Sequence, residues 1–234
     1  MPGDPIPSRE ELEATLGSLS DLPGEPPGLR AQMEGKLDAI EKIIAKREKS
    51  QPVEAAAEIL RTHTGLDVRG QHGKETPVRF LDMLQELTSC RDCDASCMKW
   101  RAFEARSQDL VTVQKIPFTS LCNHHVVPFT GWVHVGYVPN NAIAGLSKFA
   151  RVVRHFAKRL QVQESLTFQI AQFLEEALEP QGVAVVIRAE HMCMTLRGAQ
   201  VPGTYTTTAR MTGVFADHSK SAKQEFLSYI NGSH

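Results

Sequence analysis

"LVTVQKIPFTSLCNHHVVPFTGWVHVGYVP", Leu110 to Pro139, is the stretch on which the fold turns. Its two halves, "LVTVQKIPFTSLC" and "VVPFTGWVHVGYVP", are rich in β-branched and aromatic residues and read as strands. The second stops at Pro139–Asn140–Asn141, a turn signal. Between them lie Cys122, Asn123, His124 and His125, three metal-ligating side chains in four positions. Downstream the period becomes helical. "GLSKFARVVRHFAKRL" sets Leu146, Phe149, Val153, Phe156 and Leu160 on one face, and "QESLTFQIAQFLEEAL" repeats the pattern with Leu166, Ile170, Phe173 and Leu174. "GVAVVIRAEHMCMTLRG" and "TYTTTARMTGVF" return to strand character before a closing helix near Ala222–Ile230. The order strand, strand, helix, helix, strand, strand predicts an α+β fold, an antiparallel four-stranded sheet with helices on one face.

Upstream of Leu110 the chain divides by composition. Residues 1–30 carry Pro2, Pro5, Pro7, Pro23, Pro26 and Pro27 and read as a flexible Pro/Gly-rich arm. Residues 31–89 form a helical region. One helix is expected over Ala31–Lys49, a second opens at Pro52 and closes at Gly65, and a third covers "ETPVRFLDMLQELTS". Residues 90–109 are a cysteine-rich loop, and 110–234 the sheet-bearing domain. A 234-residue chain with 41% hydrophobic content can bury a real core. Its net charge of −1 gives no reason to expect a nucleic-acid or membrane surface. No stretch approaches the ~18 apolar residues of a membrane span, and "MPGDPIPSREELE" is not an apolar signal segment. Five cysteines without an export signal point to a reducing cytosol and to metal binding rather than disulfides.

Strand alternation addresses that chemistry. In "VVIRAEHMCMTLRG" a continued strand puts His191, Cys193, Thr195 and Arg197 on one face and Val186, Met192, Met194 and Leu196 on the other, the expected core side. His191 and Cys193 are then placed to meet Cys122 and a histidine of the pair across the sheet. Spacing alone leaves open which histidine ligates. Two cysteines and one histidine with a fourth position free form a catalytic zinc pattern, because the metal lowers the pKa of water in that position towards ~7.

"ETPVR", "TSLCNHHVVPFTG", "GLSKFARVV", "RLQVQE", "HMCM", "RG" and "TTTARMTGVF" occur in an order and spacing that resembles GTP cyclohydrolase I. The resemblance runs from about Glu75 to Ile230 and implies the tunnelling fold, with subunits closed into a decameric ring and active sites between them. It implies one zinc per chain, held by Cys122, His125 and Cys193, with His124 and His191 transferring protons. Gln163 and Glu164 match residues that grip the guanine edge; a carboxylate suits this because it accepts two N–H bonds at once. Ser147 matches a serine near the ribose. Lys148, Arg151, Arg197 and Arg79 match a triphosphate clamp. The implied reaction opens the imidazole ring of GTP, releases formate and recloses the product as dihydroneopterin triphosphate.

Three features depart from the pattern. Asn123 stands where the family has glutamate, and Val78 replaces a histidine in "ETPVR". Cys90, Cys93 and Cys97 offer three thiolates to a second zinc or an iron–sulfur cluster, without a neighbouring fourth ligand. Two rivals follow from Asn123 and from the fold: a variant with altered chemistry or nucleotide preference, and a non-catalytic nucleotide-binding ring. The latter tolerates damage at His124, His191 or Glu164, and all three are intact.

Overall fold

The computed structural model describes residues 29–93, 95, 98, 100–217 and 221–231. Most of the expected arm therefore lies outside the described residues. Two compact units result, one up to Asp82 and one from Met83 onward. In the first, α1 runs unbroken over Leu29–Thr64 with Pro52 inside it, where the sequence predicts two helices. A proline costs a helix one N–H donor, and the Glu, Lys and Ala on both sides are strong enough helix formers to carry the helix past it. Gly65 closes the helix as expected, with φ of 72° and its N–H donating to the Arg61 carbonyl. Helix α2 spans Thr76–Leu87, across the boundary between the units.

The second unit holds the sheet. Its elements are β1 (Ala102–Glu104), β2 (Val111–Cys122), β3 (Pro128–Val138), β4 (Ala142–Ala144), α3 (Leu146–Ala157), β5 (Leu160–Gln161), α4 (Gln163–Leu178), β6 (Gly182–His191), α5 (Met192–Thr195), β7 (Tyr205–Met211) and α6 (Ala222–Asn231). The sheet order is β5-β2-β3-β6-β7. The four long strands are antiparallel as predicted, and β5 adds two residues parallel to the end of β2. Strand β1, inside the 90–109 stretch expected to be loop, pairs with β4. Elements of two or three residues are too short to carry a period.

Helices α3 and α4 cover one face. Phe149, Val152, Val153 and Phe156 from α3 and Leu166, Ile170 and Leu174 from α4 bury against Phe129, Val133, Val135 and Tyr137 of β3 and Val183, Val185 and Ile187 of β6. Helix α6 covers part of the opposite face, where Phe226 joins Val138, Ala184, Val186 and Phe215. A Cβ at Gly136 would fall 2.6 Å from the Phe226 ring, so this helix seats only over a glycine.

One sequence expectation is corrected here. The strand does not continue through "HMCMTLRG"; it ends at His191, and Met192–Thr195 turn into a short helix. The main core receives Val183, Val185, Ile187 and Ala189, not the even-numbered set, and Met194 and Leu196 are exposed. Because β6 is buried on both faces, no polar alternation marks its inner side or its end.

Candidate metal centre

One end of the sheet gathers the chemistry. Strand β2 ends at Cys122, and the chain turns back into β3 through a tight loop: the Cys122 N–H donates to the Val127 carbonyl and the Val126 N–H to the Cys122 carbonyl. The turn forces Val126 to φ of 54°, a strained conformation for a β-branched residue. It also turns both imidazoles toward the cysteine, with His124 Nδ1 and His125 Nδ1 each 3.9 Å from Cys122 Sγ. Helix α5, entered directly from β6, brings Cys193 to the same place. Ligand atoms of Cys122, His125 and Cys193 lie within 4.8 Å of one another. Zinc bonds of ~2.3 Å to sulfur and ~2.0 Å to nitrogen set tetrahedral ligand atoms roughly 3.5–3.8 Å apart, so this donor set fits zinc with a small contraction. Two sulfurs and one nitrogen leave one tetrahedral position for something other than protein.

The electrostatics agree with a cation site. Burial pushes the Cys193 thiol above its usual pKa, and the neighbouring Cys122 adds to the shift, while Arg197 partly opposes it. Two adjacent thiolates repel, and a divalent ion offsets both charges.

His191 ends β6 beside this cluster. It pairs with Phe129 in the β3–β6 register, and the two rings stack 4.7 Å apart at 6°. Burial lowers its pKa, and the charge of Glu164 acts in the opposite direction. Glu164 lies exposed in the first turn of α4, whose N-terminus points to this end of the sheet. Gln163 differs from its expected role. Its side chain is only 1% exposed, and its amide is committed to the protein: Oε1 lies 2.8 Å from His191 Nε2, and Nε2 faces Ile187, Thr206 and Thr208. It holds His191 instead of presenting an edge to a ligand. Thr208, which completes that network with Thr167, carries no sequence signal because its contacts span more than forty positions.

Ser147, Lys148 and Arg151 are not brought to this cluster within the second unit. Ser120 Oγ donates to the Ala157 carbonyl, so the C-terminal end of α3 is the one near Cys122. Ser147 and Lys148 are at its other end, about 15 Å away along the axis, with Arg151 between. Arg79 lies in the other unit, where it pairs with Glu75. The Asn123 side chain is exposed, and its backbone N–H donates to Gln161 of β5. Cys93 is disulfide-bonded, so it has no thiolate to give a second metal; Cys90 is a free thiol, and Cys97 lies outside the described residues.

Residues 53–231 match the GTP cyclohydrolase I family. GTP cyclohydrolase 1 of Gloeobacter violaceus is 43% identical over 80% of this chain and 87% of its own length. That of Aquifex aeolicus is 48% identical over 68% of this chain and 84% of its own. The chain belongs to the GTP cyclohydrolase I family. This is a family of hydrolases, and the order of the long strands and helices described above is the one the sequence predicts. Among solved structures, the archaeosine synthase QueF-Like in the apo form superposes with a TM-score of 0.40 at 19% identity, covering 46% of this chain and 97% of that one. The matched span takes in both cysteines and the histidine of the candidate metal cluster, with His124, His191, Gln163 and Glu164.

Proposed function

We propose that this chain is a zinc-dependent GTP cyclohydrolase I that converts GTP and water to 7,8-dihydroneopterin triphosphate and formate. The observation that carries the reading is the convergence of Cys122, His125 and Cys193 on one point, beside His191 and Glu164. Zinc held there supplies a Lewis acid that makes water nucleophilic near neutral pH. Glu164 accepts the N1–H and N2–H of guanine and so orients C8 toward the metal centre. His191 and His124 hold and return protons as the imidazole ring opens and formate leaves. Ser147 assists opening of the ribose. Lys148, Arg151, Arg197 and Arg79 hold the triphosphate, with Ser147 and Lys148 reaching the centre from a neighbouring chain of a homodecameric ring.

The test is to incubate the zinc-loaded protein with GTP and resolve the products by mass. Stoichiometric formate together with a pterin that fluoresces after oxidation is the expected result. GTP recovered unchanged would leave the non-catalytic ring as the reading.

A further inference from the structure

We propose that Thr208 and Thr167, acting through Gln163, are positioning residues that fix His191 as its Nε2–H tautomer. Nδ1 is then the nitrogen left bare. The inference deepens the cyclohydrolase reading and rests on it for the catalytic part.

The assignment follows from which atoms are able to donate. The Gln163 amide nitrogen is 3.1 Å from two backbone carbonyls, those of Ile187 and Thr206, and 3.1 Å from Thr208 Oγ1. Carbonyl oxygens only accept, so the end facing them must be the NH2 group; the reversed amide would set three oxygens against one another. The other end, Oε1, therefore faces His191 Nε2 at 2.8 Å. An amide oxygen only accepts as well, so His191 Nε2 carries the proton. In a histidine with one nitrogen committed in this way, the other is left as the basic atom.

The two threonines complete the network. Thr167, 2% exposed, donates its hydroxyl proton to the Gln163 carbonyl at 2.8 Å. Its hydroxyl oxygen lies 2.6 Å from that of Thr208. With Thr167's proton already used, Thr208 is the donor in that pair, and its oxygen is turned to accept from Gln163 Nε2. The network Thr208 → Thr167 → Gln163 carbonyl orders both hydroxyl hydrogens, while the two Gln163 amide hydrogens are shared among the Ile187 and Thr206 carbonyls and Thr208 Oγ1. It ties helix α4 to strand β7 and leaves Gln163 no rotamer freedom. The Phe129 ring stacked on His191 restrains the imidazole plane from the side.

Two measurements test this. In the zinc-loaded wild type labelled with 15N-histidine, solid-state spectra at about pH 8.5, above the ordinary histidine pKa of ~6.5, are expected to show His191 protonated at Nε2 and bare at Nδ1. Its signal is assigned by its disappearance in His191→Asn. In kinetics, Thr208→Val removes the hydroxyl at nearly constant volume and is expected to lower kcat about 5- to 10-fold with KM unchanged. Thr208→Ser, which keeps the hydroxyl, is expected to restore it. An Nδ1–H tautomer in the wild type overturns the proposal, as does Thr208→Val with wild-type kcat or a serine variant no better than valine. A wild type inert on GTP sinks the cyclohydrolase reading instead, and the tautomer is still read in that sample.

Discussion

Asn123 stands in the sequence between Cys122 and the His124–His125 pair, where the resemblance to the family leads to the expectation of a glutamate. Its backbone contribution, the bond to Gln161, needs no particular side chain. A carboxylate there would act either through its field or as a carrier of protons. Field alone predicts that the neutral asparagine leaves nearby acids slightly stronger and turnover intact. The expected outcome is therefore pterin from the wild type, and a pH optimum that moves upward in Asn123→Glu without a change of product. Formate without pterin, rescued to pterin by Asn123→Glu, would show that the carboxylate carries protons in the second half of the reaction. Glu164 makes the complementary case. Changing it to glutamine leaves one acceptor and turns a donor toward the guanine N1–H. The loss of a charged bond of about 2–3 kcal/mol corresponds to a fall in kcat/KM of roughly 30- to 150-fold. Near-wild-type efficiency in Glu164→Gln would remove this residue from guanine recognition.

Strand β3 carries a different kind of anomaly at His134. The side chain is 9% exposed, and its Nδ1 is buried without a hydrogen-bond partner among the described residues. Burial, with a smaller contribution from Lys115 at the β2 bulge, lowers its pKa below the ordinary value. The native state thus holds this ring neutral. The stability that depends on it is fully present above the unfolded pKa of ~6.5 and is lost as pH falls through the lower folded value. Replacing it with valine, a good strand former, removes the titration. Thermal unfolding of His134→Val is expected to fall less between about pH 7.5 and about pH 5.5 than that of the wild type; equal falls would mean that other groups govern acid sensitivity. Elements of this size were also what the sequence showed best. The long strands and helices α3, α4 and α6 were readable because each repeats its period several times. The end of β6 was not, because a strand buried on both faces has no alternation to break. Cys122, His125 and Cys193, which the structure gathers into a group able to hold a metal, were legible as candidates through their motifs. The role of Gln163 was not, because what it touches depends on β6 and β7 lying side by side.

At the scale of the whole molecule, the separation of Ser147 and Lys148 from Cys122, His125 and Cys193 becomes informative. They lie at opposite ends of α3, and no rotamer spans about 15 Å. The sheet also has long open edges: β5 pairs with only the last two residues of β2, and β7 ends the sheet with an exposed outer side. Trp132 and Tyr205 are partly exposed on the face away from α3 and α4. Open edges and uncovered aromatic residues favour association, and a closed ring would supply the missing serine and lysine from a neighbour. Two inactive variants test this. Cys193→Ser loses a zinc ligand, and Ser147→Ala with Lys148→Ala loses the far half of the site. If each site draws on two chains, co-expressing both variants should return roughly a quarter of wild-type activity, the statistical share of sites with both halves intact. Light scattering should report the same large assembly for all three proteins, near 259 kDa if ten chains of 25.9 kDa close the ring. Co-expressed variants that assemble normally and stay inactive would place the whole site within one chain.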